Sequence, residues 1–323
     1  MTRGPTVTVL CGGVGAARFL QGLLSVVPAD EVTAVVNTGD DTILHGLHIS
    51  PDLDTITYTL SGSVNPATGW GLAGETWSAM DALERFASVR PKGSTAGGTW
   101  FGLGDRDLAT HLYRTHRLRE GATLTAVTAE VAAAFGLNVR LLPMSDDRVE
   151  TRVVVVEKGE IGFQEYFVGM HHDVAVSAVR FAGLEAARPA RDVVAAIERA
   201  GIVVIAPSNP IVSIGPVVAF AAIADVLRAR RSSVVAVSPI VAGAALKGPA
   251  ARMLHELGHE ASVVGVARLY RDLAATLVID TADAELAASV EAEGMRAVVA
   301  DTVMRTPDIA AALATRVLAE GRR

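Results

Sequence analysis

At 323 residues, half of them hydrophobic, the chain has apolar material for one large α/β domain or two ordinary ones. Its 29 basic and 35 acidic residues leave a net charge of -6, which argues against a nucleic-acid-binding surface. A single cysteine, Cys11, excludes a disulfide framework and a thiolate metal site.

Residues 6–10 read as a buried strand, too short and too β-branched for a signal-peptide core. A glycine turn follows at 11–15. Residues 16–26 then read as a helix with Phe19, Leu20, Leu23 and Leu24 on one face. Residues 31–36 form the next strand, ending in Asn37-Thr38-Gly39-Asp40-Asp41, and the unit fits a parallel sheet with a right-handed crossover. Helices are expected over 55–60, 77–86, 108–117 and 123–135, between Gly- and Pro-rich turns. Strands follow at 152–156 and 163–167. Later, 202–206 and 233–237 each read as a strand running into a polar loop and a helix, with further strands at 262–266, 276–279 and 297–300. The longest uncharged stretch, 201–224, contains Pro207, Asn209, Pro210, Ser213 and Pro216, which in lipid would strand backbone groups. The expectation is therefore a cytoplasmic, non-membrane α/β protein. It has one Rossmann-like parallel sheet over 1–323, helices on both faces, and a mainly helical insertion at roughly 56–150.

Four polar loops follow strands, and ligands bind at that edge of an open parallel sheet. In the first, Gly12, Gly13 and Gly15 let backbone N–H groups approach an anion at a helix N-terminus, and Arg18 lies one turn on. The third dinucleotide-fingerprint position is Arg18 rather than Gly or Ala, and a Walker lysine is absent. A purely structural glycine turn is the alternative. The second loop, Asn37 to Asp41, is followed by Ser50-Pro51-Asp52-Leu53-Asp54-Thr55, and four carboxylates in fifteen residues suit a hard cation such as Mg²⁺. Asx-turns and helix caps are the bland reading. The third, Gly104-Asp105-Arg106-Asp107, offers a helix cap, an ion pair or a second phosphate contact. The fourth holds Ser208, Asn209 and Ser213, with a partner loop from Ser238 to Gly248 that carries Lys247. Such loops suit base and ribose recognition, or ordinary capping.

His255-Glu256-Leu257-Gly258-His259 matches the zincin pattern, but Gly258 reads as a helix terminus that puts His259 off the helical face. His171-His172 reads as a surface pair, Cys11 as a small buried side chain, and Trp70, Trp77 and Trp100 chiefly as core, with stacking on a planar ligand as the alternative for one of them.

Taken together, Gly12-Gly13-Val14-Gly15, Asn37–Asp41, Ile49–Thr55, Leu103–Asp107, Pro207–Pro210 and Ser238-Pro239-Ile240 resemble the 2-phospho-L-lactate transferase (CofD-like) family of coenzyme F420 biosynthesis, over essentially the whole chain. The resemblance implies a Rossmann-like, Mg²⁺-assisted enzyme that moves a phospho-acyl group from a guanosine-diphosphate-linked donor to the deazaflavin Fo and releases GMP. The Arg-rich, Lys-poor composition is similar to that of actinobacterial members, whose donor is enolpyruvyl-diphospho-guanosine rather than the lactyl compound. The resemblance implies metal ligation by Asp40, Asp41 or Asp54, proton acceptance by Asp52 or Asp54, and charge neutralisation by Arg18. Substrate contacts fall to Gly12, Gly13, Gly15, Asn37, Thr38, Asp54, Asp105, Arg106, Ser208, Asn209, Ser213 and Ser238. One departure stands out. Archaeal relatives carry a lysine that touches the deazaflavin two residues before the Gly-Asp-Arg-Asp motif, where this chain has Gly102, with Lys92 as a candidate substitute. The competing expectations are a nucleotide-sugar-binding regulator of the same fold and a nicotinamide dehydrogenase. An exposed sheet edge or the apolar late helices would support a homodimer.

Overall fold

A computed structural model of the protein describes residues 6–156, 158–246 and 248–321; Lys247, noted above, lies outside them. Seven short apolar segments form one sheet: β1 (Val7–Cys11), β2 (Val32–Val36), β3 (Arg140–Pro143), β4 (Ile202–Ile205), β5 (Val234–Val237), β6 (Thr276–Asp280) and β7 (Arg296–Ala300). Their order is β3-β2-β1-β4-β5-β6-β7, all parallel. The inner strands are fully buried and nearly all apolar, rich in Val, because both faces are covered. Alternation along β1 divides the core. Leu10 joins one apolar cluster, while Val9 and Cys11 join the cluster on the opposite face. The order in which strands are added reverses between β1 and β4, which places a crevice at their carboxyl ends.

Three expectations need correction. Residues 262–266 are not a strand: Ser262 caps a helix, Val263–Tyr270, its hydroxyl accepting from the N–H groups of Val264 and Gly265. A short apolar run has no periodicity to separate helix from strand, so the cap was the usable signal. The strand expected at 163–167 lies earlier, at Gly159–Gly162, and Glu165–Gly169 is a π-helical turn. That strand belongs to a separate three-stranded antiparallel sheet with Glu150–Val155 and Val176–Ala182. Within the span expected to be helical, Arg140–Pro143 is instead β3, at the edge of the main sheet.

Helix α1 (Gly13–Leu24) runs from β1 and packs closely on the C-terminal helix Pro307–Gly321. The approach is set at Gly22, where an added Cβ would stand 2.4 Å from the carbonyl carbon of Ala310. Helix α2 (Pro51–Leu60) starts with Pro51 in its first turn and carries Asp52 and Asp54 there, as a helix N-terminus favours. Helix α3 (Asp107–Arg119) is fixed to α2 by buried charges. Both Nη atoms of Arg114 grip Asp54, Nη1 at 3.2 Å from Oδ2, and Nη1 also donates to the His48 carbonyl at 3.3 Å. Tyr58 donates to Asp107 at 2.5 Å, and His111 Nε2 lies 3.2 Å from the same carboxylate.

Two outcomes follow from this packing. A Gly22→Val variant should lose about 1–3 kcal/mol, read by urea unfolding, because it must push the C-terminal helix away. Arg114→Met should lose about 3–5 kcal/mol by leaving Asp54 buried and unpaired, while the Asp54→Leu/Arg114→Met double variant should recover most of that. Failure of the double variant to recover would mean that the pair does more than neutralise itself.

Candidate active site

The crevice is a cleft of about 550 Å³ walled by the loops after β1, β2, β4 and β5, with α2 on one side. Its floor is unusually close-packed around Gly12. A Cβ there would sit 2.4 Å from Asp52 Oδ2, 3.0 Å from Ser213 Cβ and 3.2 Å from Asn37 Cβ, so only glycine fits. Gly13 is left-handed at φ +73, and Gly15 lies against the Pro207 carbonyl, 2.4 Å from where a Cβ would be. The Ser208 hydroxyl donates to the Gly12 carbonyl at 2.8 Å and accepts from the Gly12 N–H at 3.2 Å. The Gly13 N–H donates to Asp52. Two of the N–H groups expected to face an anion are thus already engaged. Val14 and Gly15, in the first turn of α1 and on the cleft wall, remain to face one.

Asn37, fully buried, organises the carboxylates. Its Nδ2 donates to Asp52 Oδ2 at 2.9 Å and to the Val212 carbonyl at 3.3 Å, while its Oδ1 accepts from the Gly39 N–H at 2.8 Å. Asp40 and Asp52 are both buried and both line the cleft. Burial pushes the Asp52 carboxyl up from 3.8 to about 6, against hydrogen bonds from Asn37 and Gly13 that pull it down. Burial and the neighbouring Asp52 charge also push Asp40 well up. Asp40 Oδ1 has no hydrogen-bond partner, so a buried carboxylate oxygen is left facing unsatisfied. Two close carboxylates with an open oxygen are what a hard cation with oxygen ligands requires. Arg18 lines the same cleft, as does Arg305, and neither has an ion-pair partner among the described residues.

Not every expected residue lies there. Asp54 is held by Arg114 and does not line the cleft, which leaves its expected base role without a place beside a ligand there. One ligand atom each of Asp54, Asp107 and His111 lies within 4.8 Å of the others, a spacing that could hold an ion. The Arg114 guanidinium already supplies the positive charge at that point, donating to Asp54 and touching His111 Nδ1 at 3.2 Å. Asp41 accepts from Ser50 at 2.7 Å and, with Thr38, His48 and Arg148, lines a separate cavity of about 260 Å³. Asp105 and Arg106 are also outside the cleft's lining. Asp105 caps the helix Ser78–Glu84, accepting from the N–H groups of Ser78 and Ala79 at 3.0 Å each, while Arg106 Nη1 donates to the Ala73 carbonyl. Ser208, Asn209, Ser213 and Ser238 do line the cleft. Of these, Asn209 caps its own loop through Ile211 and Val212, and Ser238 bonds the backbone of Ile240.

The core reading of the tryptophans needs correction, Trp100 included at 41% exposed. Trp70 and Trp77 are 55% and 48% exposed rather than core, and with Phe101, Phe163 and Phe167 they form much of the wall. The zincin-like pair falls apart as expected: the helix ends at Glu256, and Gly258 is left-handed at φ +79. Cys11 is buried, its thiol pushed up by burial, and it lies within the core.

The family model of 2-phospho-L-lactate transferase CofD matches residues 7–318. The chain is 42% identical over 318 residues to a phosphoenolpyruvate transferase of Kitasatospora aureofaciens, covering 97% of each chain. It is 43% identical over 316 residues to one of Streptomyces griseus, again with 97% of each covered. Among solved structures, a Bacillus halodurans protein shares the fold at a TM-score of 0.62 and 16% identity, with 98% of this chain and 100% of that one covered. With the glycine floor, the paired carboxylates and the strand order in one place, this match identifies the chain as a member of the CofD transferase family.

Proposed function

We propose that the chain transfers the phosphoenolpyruvyl group of enolpyruvyl-diphospho-5'-guanosine, or the 2-phospho-L-lactyl group of its lactyl counterpart, to the terminal hydroxyl of Fo. The products are dehydro coenzyme F420-0, or F420-0, and GMP. The observation that carries this reading is the buried pair Asp40 and Asp52 beside Gly12, in a cleft that also holds Arg18 and an aromatic wall. The curated actinobacterial relatives named phosphoenolpyruvate transferases favour the enolpyruvyl donor. No single helix among the described residues is long and apolar enough to cross a membrane, which suits the proposed cytoplasmic setting.

In this reading Fo's hydroxyl oxygen forms a bond to the donor's β-phosphorus while the bridging P–O bond opposite breaks and GMP departs. Asp52, with its carboxyl near 6, is placed to accept the hydroxyl proton at neutral pH. The open Oδ1 of Asp40 supports it as the residue that would hold Mg²⁺, and the ion when bound would neutralise diphosphate charge. Arg18 and the N–H groups of Val14 and Gly15 add fixed positive potential where the diphosphate lies. Positioning and electrostatics do most of the work, because phosphoryl transfer asks little covalent chemistry of the protein.

Mass spectrometry of reactions holding Fo, Mg²⁺ and each donor in turn tests the reading. An enolpyruvyl-phosphate adduct of Fo with stoichiometric GMP is expected, and no adduct from either donor sinks it. Asp52→Asn should lower kcat by roughly 100-fold or more, the range of a lost general base, with donor KM little changed. A variant within a few-fold of wild type would remove Asp52 from that role.

A further inference from the structure

Residues 102–107 do not reach the cleft with their charges, yet they are bonded with unusual completeness to residues 73–79. Glu75 lays its carboxylate across the N–H groups of Arg106 and Asp107, at 2.8 Å each. Gly104 is glycine because Glu75 occupies its side-chain space, with Cδ 2.2 Å from where a Cβ would be. Asp105 takes the Thr76 hydroxyl at 2.5 Å and two N–H groups beyond it, and its own N–H donates to the Thr76 carbonyl at 2.9 Å. Arg106 closes the other end on the Ala73 carbonyl at 2.7 Å. At the centre of this clasp stands Trp77. Its six-membered ring rests on Gly102, Cζ3 lying 3.2 Å from where a Cβ would be.

Such a clasp is costly if its product is only a surface indole, since an apolar ring held half in water gains little from burial. Trp77 is not at an arbitrary surface point. It lines the cleft that holds Asp40 and Asp52, as do Trp70 and Phe101. Trp100 packs against Gly169, joining this segment to the one that supplies Phe163 and Phe167. A rigid, half-exposed ring in a cleft otherwise built for anions is suited to a flat, conjugated ligand.

We propose that Trp77 is the stacking platform for the acceptor's fused aromatic ring, and that Glu75, Asp105 and Arg106 are positioning residues that fix its angle. The inference rests on the reading above that the acceptor is a planar deazaflavin. It adds the residue that selects for such a ring. Gly102 takes part by being small, because a Cβ there would press on the indole at 3.2 Å and shift it by a few tenths of an ångström.

Binding of Fo, measured by equilibrium ultrafiltration without donor, tests this apart from turnover, with Mg²⁺·GDP binding measured alongside. Trp77→Leu should weaken Fo binding 10-fold or more, and Trp77→Phe should stay within about 3-fold of wild type because it keeps a ring face. Neither should alter Mg²⁺·GDP binding. Asp105→Asn keeps the indole but loosens the clasp, so the Fo KM should rise with kcat little changed. Wild-type affinity in Trp77→Leu would overturn the proposal, as would failure of the wild-type protein to bind Fo at all. If Fo binding follows Trp77 but neither donor yields an adduct, the platform stands and the transfer reading fails.

Discussion

Asp40 and Asp52 are brought together from different elements, one from the loop after β2 and the other from the first turn of α2, and both are buried. Each would be easier to ionise alone. Their proximity raises Asp40, and burial raises both. Among the described residues no arginine forms an ion pair with either. The nearby Arg114 is committed to Asp54, and the open Oδ1 of Asp40 remains without a donor. A fold that forms this pair stores an electrostatic deficit at the carboxyl edge of its sheet, where a nucleotide diphosphate and its cation can relieve it.

Much of the surrounding architecture serves to hold that deficit in place. Gly12 has no side chain because Asp52 Oδ2 fills the space, and Asn37 spans from Asp52 to the Val212 carbonyl with its other end on Gly39. The loops after β1, β2 and β4 are therefore coupled through hydrogen bonds rather than through apolar contact alone. The ion pair of Arg114 with Asp54 does related work from behind, fixing the turn of helix that carries Asp52. Two aspartates two residues apart thus have opposite fates. One is paired in the interior and the other is left facing the cleft.

The sheet was legible in sequence because its strands are apolar on both faces and end in glycine, asparagine or serine loops. The exceptions have physical causes. Residues 262–266 share the composition of a strand, and only the Ser262 cap distinguishes a helix. The Arg140–Pro143 strand is short and lies at the edge, so it lacks a long apolar run. Asp40, Asp52, Arg18 and the four Ser/Asn positions, candidates in the sequence as parts of polar loops and the helix starts that follow them, all line the cleft. The aspartates could not be sorted, since which carboxylate meets Arg114 depends on α3, about sixty positions away in sequence. Trp77 could not be sorted between core and ligand stacking for a similar reason. Composition marks tryptophan as core, and only the bonds between residues 73–79 and 104–107 show the ring held outward.

Mg²⁺-dependent thermal stability at two pH values tests the stored deficit most directly. The folded pKa of Asp52, about 6, lies above its unbiased value of 3.8. This group therefore favours the folded state fully below the lower value, loses that contribution as pH rises to about 6, and leaves the deficit in place above it. Mg²⁺ should raise Tm clearly at pH 7.5 and little at pH 5. Without the ion, Asp40→Asn should melt higher than wild type at pH 7.5 and no longer respond to Mg²⁺. An equal Mg²⁺ response at both pH values, or an Asp40→Asn variant that still responds as wild type does, would contradict the account.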